Sequence, residues 1–267
     1  MKLLLLLSVL ALAVIAFALF TPSGRDLARD FGDRVSQAIF GHMTRNGLVL
    51  GTYNFPEGTR FYFCSSANFA AAKTITALTN ANPALATSTS HGYVDNDEIF
   101  LDSGWEDAKN AIYRVDQQDV NGFQVLGLNT SSTSFYPAGS GTGTAKKVGS
   151  WVQIPQVLGI QTSGGDPRFT QVSPLASRNS QNIPTGFNPS TTTLSLGHDP
   201  ADVNWLAMVD ISRTLTPVAF KMVLGGGGTT YGYGYMACNE QPQLNQNQVN
   251  AVSVVLSFQG RQISYST

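Results

Sequence analysis

The residue group with the clearest potential for chemistry is a run of acidic side chains in the first half of the chain. Six carboxylates fall within 13 residues: Asp95, Asp97, Glu98, Asp102, Glu106 and Asp107. Crowded carboxylates can bind calcium, but this spacing fits no helix-loop-helix calcium pattern, and the glycine that the pattern needs at its turn is missing. A solvated acidic turn is the default interpretation. A metal site and a negative surface that repels other polyanions are the alternatives.

The other reactive side chains are few and form no catalytic pattern. The histidines are His42, His91 and His198, and no Gly-x-Ser-x-Gly sequence supplies a nucleophile on a strained turn. We interpret His91 and His198 as surface or turn residues. We interpret Cys64 and Cys238 as small core residues, since two thiols and so few histidines make no metal site. The sequence therefore predicts no catalytic, cofactor-binding or metal-binding residue and no enzymatic activity.

Four consecutive glycines at 225–228 raise the question of a phosphate loop. Such a loop needs a strand before it, a helix after it and usually a Gly-Lys-Ser/Thr sequence. Here the side chains alternate with period two on both sides of the glycines. We therefore predict a β-hairpin with the glycines in its turn. Gly232 and Gly234 leave one face of its second strand bare, so another backbone, from the same chain or a neighbour, can approach closely.

Strand patterns dominate the chain from Gly47 onward. We predict strands at 59–64, 86–93, 98–102, 111–115, 122–128, 149–154, 156–162, 191–196 and 250–265. Together with the glycine hairpin, these strands predict a mainly β fold: a single β-sandwich or barrel domain over residues 43–267 with small flanking α-helices.

Three segments of this domain do not follow the strand pattern. Residues 68–80 and 200–213 are predicted to be helices, the second capped by Asp199 or Asp202. Residues 163–190 show no clear period and are rich in Gly, Pro, Ser and Asn, so we predict a long irregular loop.

The first 42 residues have a different character. Residues 1–20 hold an 18-residue run after a single lysine that is apolar apart from Ser8, a length typical of a signal or anchor segment. In residues 21–42 apolar side chains recur every four positions, which predicts an amphipathic helical linker or extension. Met43 is an alternative start of the functional protein. The sequence thus predicts an N-terminal apolar helix that precedes the β domain.

The chain carries little charge. Only 12% of its 267 residues are charged and its net charge is −1, against roughly 25% charged residues in an ordinary soluble domain. This deficit suggests a surface covered by partners, although an extracellular β protein rich in Ser, Thr and Asn looks similar. The chain also lacks the excess of basic residues that a protein needs to bind nucleic acid through its phosphates.

From Met43 to the end, the order of segments resembles the major tail tube proteins of long-tailed, non-contractile bacteriophages. Four stretches carry the resemblance: 45–63 (RNGLVLGTYNFPEGTRFYF), 103–115 (SGWEDAKNAIYRV), 163–188 (SGGDPRFTQVSPLASRNSQNIPTGFN) and 246–265 (QNQVNAVSVVLSFQGRQISY). The resemblance is one of segment order, without a catalytic signature. The first 42 residues depart from it.

The resemblance implies a structural virion protein without a cofactor. Six copies would form a ring, and rings would stack into a tube that conducts DNA during ejection. The implied partners are other copies of the chain, the tail terminator, tape measure and distal tail proteins, and passing double-stranded DNA that is not specifically bound. The protein would be assembled in the host cytoplasm and reside in the virion tail, while the apolar N-terminus keeps membrane association or export open.

Two expectations about sites follow from the resemblance. The six acids would face the bore and keep DNA from adhering, and residues 163–190 would order against an adjacent ring. The alternative function is a secreted or membrane-anchored β-sandwich binding module, for which the apolar N-terminus is the main argument.

Overall fold

The computed structural model describes residues 56–176 and 178–266. The predictions for residues 1–20 and 21–42 lie outside the described residues. The described chain is mainly β, as predicted. The elements in chain order are β1 (Arg60–Ser65), β2 (Lys73–Ile75), β3 (Ala77–Leu78), β4 (Ala84–Thr87), β5 (Glu98–Ser103), β6 (Ala111–Gln117), β7 (Gly122–Leu126), β8 (Gly143–Lys147), β9 (Val152–Gln153), β10 (Val157–Ser163), β11 (Pro167–Val172), β12 (Gln181–Phe187), β13 (Thr191–Gly197), α1 (Val203–Thr214), β14 (Val218–Val223), β15 (Thr229–Cys238), β16 (Ala251–Phe258) and β17 (Ile263–Tyr265).

The first sheet contains the predicted glycine hairpin at its centre. Its strands run in the order β10-β13-β16-β15-β14-β1-β9, and β17 also pairs with β15. The pairing of Val223 with Thr229 closes the hairpin formed by β14 and β15. Gly227 and Gly228 both have φ +96°, a backbone conformation that favours glycine, so the hairpin prediction and its reason are confirmed.

The second sheet curls into a nearly closed barrel. Its strands run in the order β2-β8-β5-β6-β7-β4-β3. The two end strands, β2 and β3, are separated in sequence only by Thr76, which brings the ends of the sheet together. The barrel interior is filled by a buried apolar cluster that includes Trp105, Tyr113 and Phe123.

Two further clusters pack the first sheet on both of its faces. On one face, Leu194 and Phe63 pack with Trp205 and Met208 of α1. The opposite face contacts the second sheet through a cluster formed by Cys64, Phe100, Ile112, Val148, Ala219, Tyr231 and Tyr233, which we call the interlayer cluster. The predicted helix therefore flanks a two-sheet β structure.

Helix α1 begins where an aspartate caps it. The carboxylate of Asp202 accepts hydrogen bonds from the backbone N–H groups of Asn204 at 2.8 Å and Trp205 at 2.9 Å. These donors have no partner within the helix, so the cap stabilises its first turn. The helix ends at Thr214 and is followed by the C-cap residue Leu215, whose φ of 52° is left-handed. The predicted helix and one of the two proposed caps are confirmed.

The bare glycine face of β15 is covered by the same chain. An added Cβ at Gly232 would lie 2.4 Å from Cε1 of Phe258, and one at Gly234 would lie 1.9 Å from the carbonyl oxygen of Ser257. Both contacts belong to β16, the neighbouring strand. The predicted close approach is confirmed for the same chain, and the alternative of a strand from a neighbouring chain is wrong, because β16 already occupies the space.

Two predictions of local structure are wrong. The predicted helix at 68–80 is instead a short 3-10 turn (Ser66–Asn68) followed by β2 and β3. Alanine-rich segments favour helix, but pairing of β2 with β8 and of β3 with β4 overrides that preference. The segment 163–190 is not irregular, since β11 and β12 form an antiparallel hairpin within it.

Two predicted strands are shorter or displaced. The strand predicted at 86–93 is observed as β4, and the chain leaves the sheet after Thr87. The strand predicted at 149–154 is reduced to β9, Val152–Gln153. The remaining predicted strands are present with shifts of a few residues at their ends.

Candidate functional site

The hairpin of β11 and β12 is the most exposed element of the described chain. Along both strands nearly every residue is exposed to solvent. Phe169 pairs with Pro184 while Thr170 pairs with Ile183, so Phe169 and Ile183 lie on opposite faces of the hairpin. An isolated two-stranded hairpin is only marginally stable in water. Apolar side chains on both faces indicate a hairpin that is completed by contact with another surface.

The turn of this hairpin carries the most exposed apolar side chain among the described residues. Leu175 is fully exposed. Leu175 and Arg178 lie on either side of the turn between β11 and β12, and Arg178 is exposed as well. The turn therefore presents one apolar and one cationic side chain to whatever it contacts.

At the base of the hairpin lies an open groove of about 1250 Å³. Its apolar lining includes Phe135 and Phe187, which are 69% and 74% exposed. Its charged lining consists of Glu106, Asp107 and Arg261. The groove thus combines exposed aromatic rings with charged side chains whose net charge is −1.

Strand β10 leaves one edge of the first sheet open. It pairs with β13 on one side, and in the described part of the chain no strand lies on its other side. Its seven residues, VLGIQTS, include no charged side chain, and Ile160 is exposed. Natural proteins usually protect a free edge with charge, proline or a bulge. Strand β10 contains no charge and no proline, and its register shift is confined to Val157–Gly159, so the edge from Ile160 to Ser163 is available for pairing with another chain.

The six acids predicted as one cluster fall into groups at the two ends of β5. Asp95 and Asp97 precede this strand. Asp102, Glu106 and Asp107 follow or end it, and all three are exposed. Since a strand advances about 3.3 Å per residue, the two groups are separated by roughly 15 Å or more. The structure does not bring all six carboxylates together.

The acids before β5 have structural partners. Asp97 forms an ion pair with Lys147 at 2.7 Å, between Asp97 Oδ1 and Lys147 Nζ, and accepts a hydrogen bond from the backbone N–H of Val94. Asp95 accepts one from the backbone N–H of Gln117 at 2.8 Å. These contacts fix the loop that leads into β5.

Glu98 has a role that the sequence did not reveal. Its carboxylate accepts hydrogen bonds from Lys221 Nζ at 2.9 Å, from the Tyr231 hydroxyl and from the indole N–H of Trp151. Lys221 and Tyr231 belong to the first sheet and Glu98 to the second, so the contact joins the two layers. Burial, and then the hydrogen bond to Glu98, raises the pKa of Tyr231 above its ordinary value.

Of the two described histidines, His91 is more buried than the sequence predicted. His91, predicted at the surface or in a turn, is buried, with its ring nitrogens at 3.0 Å from the Tyr93 N–H and 3.0 Å from the Asp119 carbonyl oxygen. The bonds tie together two loops of the second sheet. His198 is partly buried and contacts Trp205 edge to face. In the described residues, no three His, Cys, Asp or Glu side chains lie close enough to hold a metal ion.

Both cysteines are free thiols, and the prediction of a core position is confirmed for Cys64. Cys64 is buried and Cys238 is half-buried. Burial raises the pKa of Cys238 to about 12. The thiolate is the reactive form of cysteine, so neither the position nor the chemistry of these thiols indicates a nucleophile.

A sequence profile described as phage tail tube protein, TTP, matches residues 103–267. The chain belongs to the phage tail tube protein family. It is a structural component of the virion tail. Comparison with curated proteins gives no match. Within the described residues, no helix combines the length and apolar character that a membrane span requires.

Three solved structures similar to this tail tube protein are a gene transfer agent virion, a phage tail tube and a sheath-tube complex. A chain from the virion of a native gene transfer agent particle is 12% identical, with 43% of this chain and 89% of that chain covered and a TM-score of 0.34. The SPP1 tail tube is 12% identical, with 45% and 70% covered and a TM-score of 0.34. The sheath-tube complex of an extracellular contractile injection system is 14% identical, with 43% and 83% covered and a TM-score of 0.31.

Proposed function

We propose that six copies of this tail tube protein form a ring and that the rings stack into the tube through which DNA leaves the capsid. The observation that carries this proposal is the β11–β12 hairpin, which exposes apolar side chains on both faces. The function is carried by packing between identical copies, so it requires neither a cofactor nor a catalytic residue. By membership of the family, the ends of the tube would contact the tail terminator, tape measure and distal tail proteins.

The free edge of β10 supports a second contact between copies. An uncharged strand with one unpaired side can add to a sheet of a neighbouring copy through backbone hydrogen bonds. Two different contacts, one at an edge and one through a projecting hairpin, are what a protein needs to grow both around a ring and along a tube. We assign β10 to the contact within a ring and the hairpin to the contact between rings.

In this proposal only two of the six acids face the bore and repel DNA. Asp97 and Glu98 are engaged with Lys147 and Lys221. Glu106 and Asp107 border the groove. We propose Asp95 and Asp102, which are exposed, as the acids that face the bore and repel passing DNA. Tubes of an Asp95→Asn/Asp102→Asn variant should bind DNA where unmodified tubes do not; if neither binds, these acids do not act on DNA.

The test of the stacked tube is a shortened hairpin in the full chain. Replacing residues 171–182 with Asn-Gly puts a two-residue turn directly between the paired residues Thr170 and Ile183. We expect the purified chain to form tubes in negative-stain images and the shortened variant to unfold cooperatively at the same temperature but to form no tubes. Tubes of normal length from the shortened variant would contradict the proposal.

A further inference from the structure

We propose that the groove at the base of each hairpin receives the turn of the hairpin from a second copy, with Leu175 seated against Phe135 and Phe187. This inference rests on the proposed function and specifies its partner surface. It names the contact that joins one ring to the next.

The groove cannot be filled by the turn of its own hairpin. Strand β11 has six residues, and at about 3.3 Å per residue it holds the turn roughly 20 Å from the base. The groove lies at that base, beside Ser163 and Asn188. A second copy is therefore the source of a turn that reaches it.

The size and lining of the groove suit a peptide segment. Its volume of about 1250 Å³ exceeds the roughly 300–1,000 Å³ of pockets that hold small molecules. The exposed rings of Phe135 and Phe187 offer an apolar surface to Leu175. An apolar anchor in a pocket rimmed by polar groups is the usual centre of a protein interface.

The charges of the two surfaces are complementary. The groove carries Glu106 and Asp107 against the single cation Arg261, a net charge of −1. The outer part of the hairpin, residues 170–184, carries one charged side chain, Arg178. Seating the turn in the groove would place this cation near two carboxylates.

The geometry of the contact also fits a tube. The turn and the groove are different surfaces of one chain, so the contact is head-to-tail and leaves a free turn at one end and a free groove at the other. Such a contact continues without limit unless it closes into a ring. Contacts of this kind in the axial direction add one ring after another.

Three single variants of the full chain test the pairing. Leu175→Asp alters the turn and Phe135→Asp alters the groove. Val120→Asp is the matched control, since Val120 is 62% exposed and lies outside the groove. We expect the sedimentable tube fraction to fall about tenfold or more for the first two variants and to stay unchanged for the control. Tubes of normal length from Phe135→Asp would overturn the inference.

A cysteine pair identifies the contact directly. In the full chain with Leu175→Cys and Asp107→Cys, oxidation should give a ladder of covalent multimers, and each single variant should give none. The natural thiols Cys64 and Cys238 are buried or half-buried, which limits background. Normal tubes without a ladder would overturn the inference and leave the proposed function intact. If the unmodified chain forms no tubes, the proposed function fails, and this inference fails with it.

Discussion

Lys221 of β14 and Glu98 of β5 lie 2.9 Å apart, between Nζ and Oε1, and join the two sheets of the tail tube protein. Both side chains are largely buried, at 20% and 17% exposed. We propose that this charged, hydrogen-bonded link, which lies between the same two sheets as the interlayer cluster, sets how the sheets are aligned.

Substitution of Glu98 should therefore destabilise the fold. Glu98→Gln removes the charge that compensates Lys221 and weakens the bonds to Tyr231 and Trp151, so we expect the free energy of unfolding to fall by about 2 kcal/mol. Urea denaturation followed by tryptophan fluorescence measures this change. The matched control is Glu240→Gln, which alters the exposed pair with Arg213 and should leave the midpoint unchanged. Equal midpoints for both variants would show that the link between the sheets contributes nothing.

The glycines of β15 give a second test of the core. Gly234→Ala should destabilise by about 2 kcal/mol, because its Cβ meets backbone atoms of β16 that cannot move aside. Gly232→Ala meets only the ring of Phe258. We therefore expect Phe258→Leu to recover part of the stability lost in Gly232→Ala and none of that lost in Gly234→Ala. Thermal unfolding of the two double variants provides the comparison, and identical recovery in both would contradict it.

The sequence predicted the elements whose signals are local. The hairpin of β14 and β15 is indicated by alternating side chains and turn glycines, and α1 by an aspartate at its N-cap. The hairpin of β11 and β12 was missed for a physical reason. A strand shows period two when one face is buried, and this hairpin is exposed on both faces, so nothing in its own sequence imposes alternation.

Features that depend on distant residues could not be predicted. Glu98 meets Lys221 and Tyr231 across 123 and 133 positions of sequence, and its neighbours in sequence suggested only a group of solvated acids. Likewise, the groove is assembled from strands and loops far apart in the chain, with Phe135 and Phe187 52 positions apart. Such sites follow from the pairing order of the sheets.

The cap of α1 offers a prediction for the helix itself. Asp202→Ala should reduce stability by about 1 kcal/mol, since two backbone N–H groups lose their acceptor. Asp202→Asn should retain most of the stability, because its side-chain oxygen can accept the same bonds. Asp210→Ala, at an exposed position within the helix, serves as the control. Chemical denaturation of the three variants measures the difference, and an effect of Asp210→Ala equal to that of Asp202→Ala would contradict the role of the cap.

Alkaline conditions should destabilise the protein through Tyr93. Burial, and then the nearby charge of Asp97, raises the pKa of Tyr93 from 10.0 to about 12. The folded state therefore keeps the phenol proton at a pH where the unfolded state has lost it, so this stability is fully present below pH 10 and is lost as the pH rises towards 12. Tyr93→Phe should lose less stability than the unmodified protein over that range. Denaturation midpoints across the range test this, and parallel losses would exclude a contribution from Tyr93.

The edge of β10 predicts a separate defect in assembly. Ile160→Lys places a charge on the open edge strand, which should block pairing with a neighbouring copy. Because the side chain of Ile160 is exposed, the subunit itself should still fold normally. We expect the variant to sediment as smaller species than the unmodified chain at equal concentration, without a change in its unfolding temperature. Val94→Lys, exposed but outside the first sheet, is the matched control. The variant with the shortened hairpin should instead stop at single rings, because its β10 edge is intact. If Ile160→Lys forms rings as readily as the Val94→Lys control, the contact within the ring lies elsewhere on the subunit.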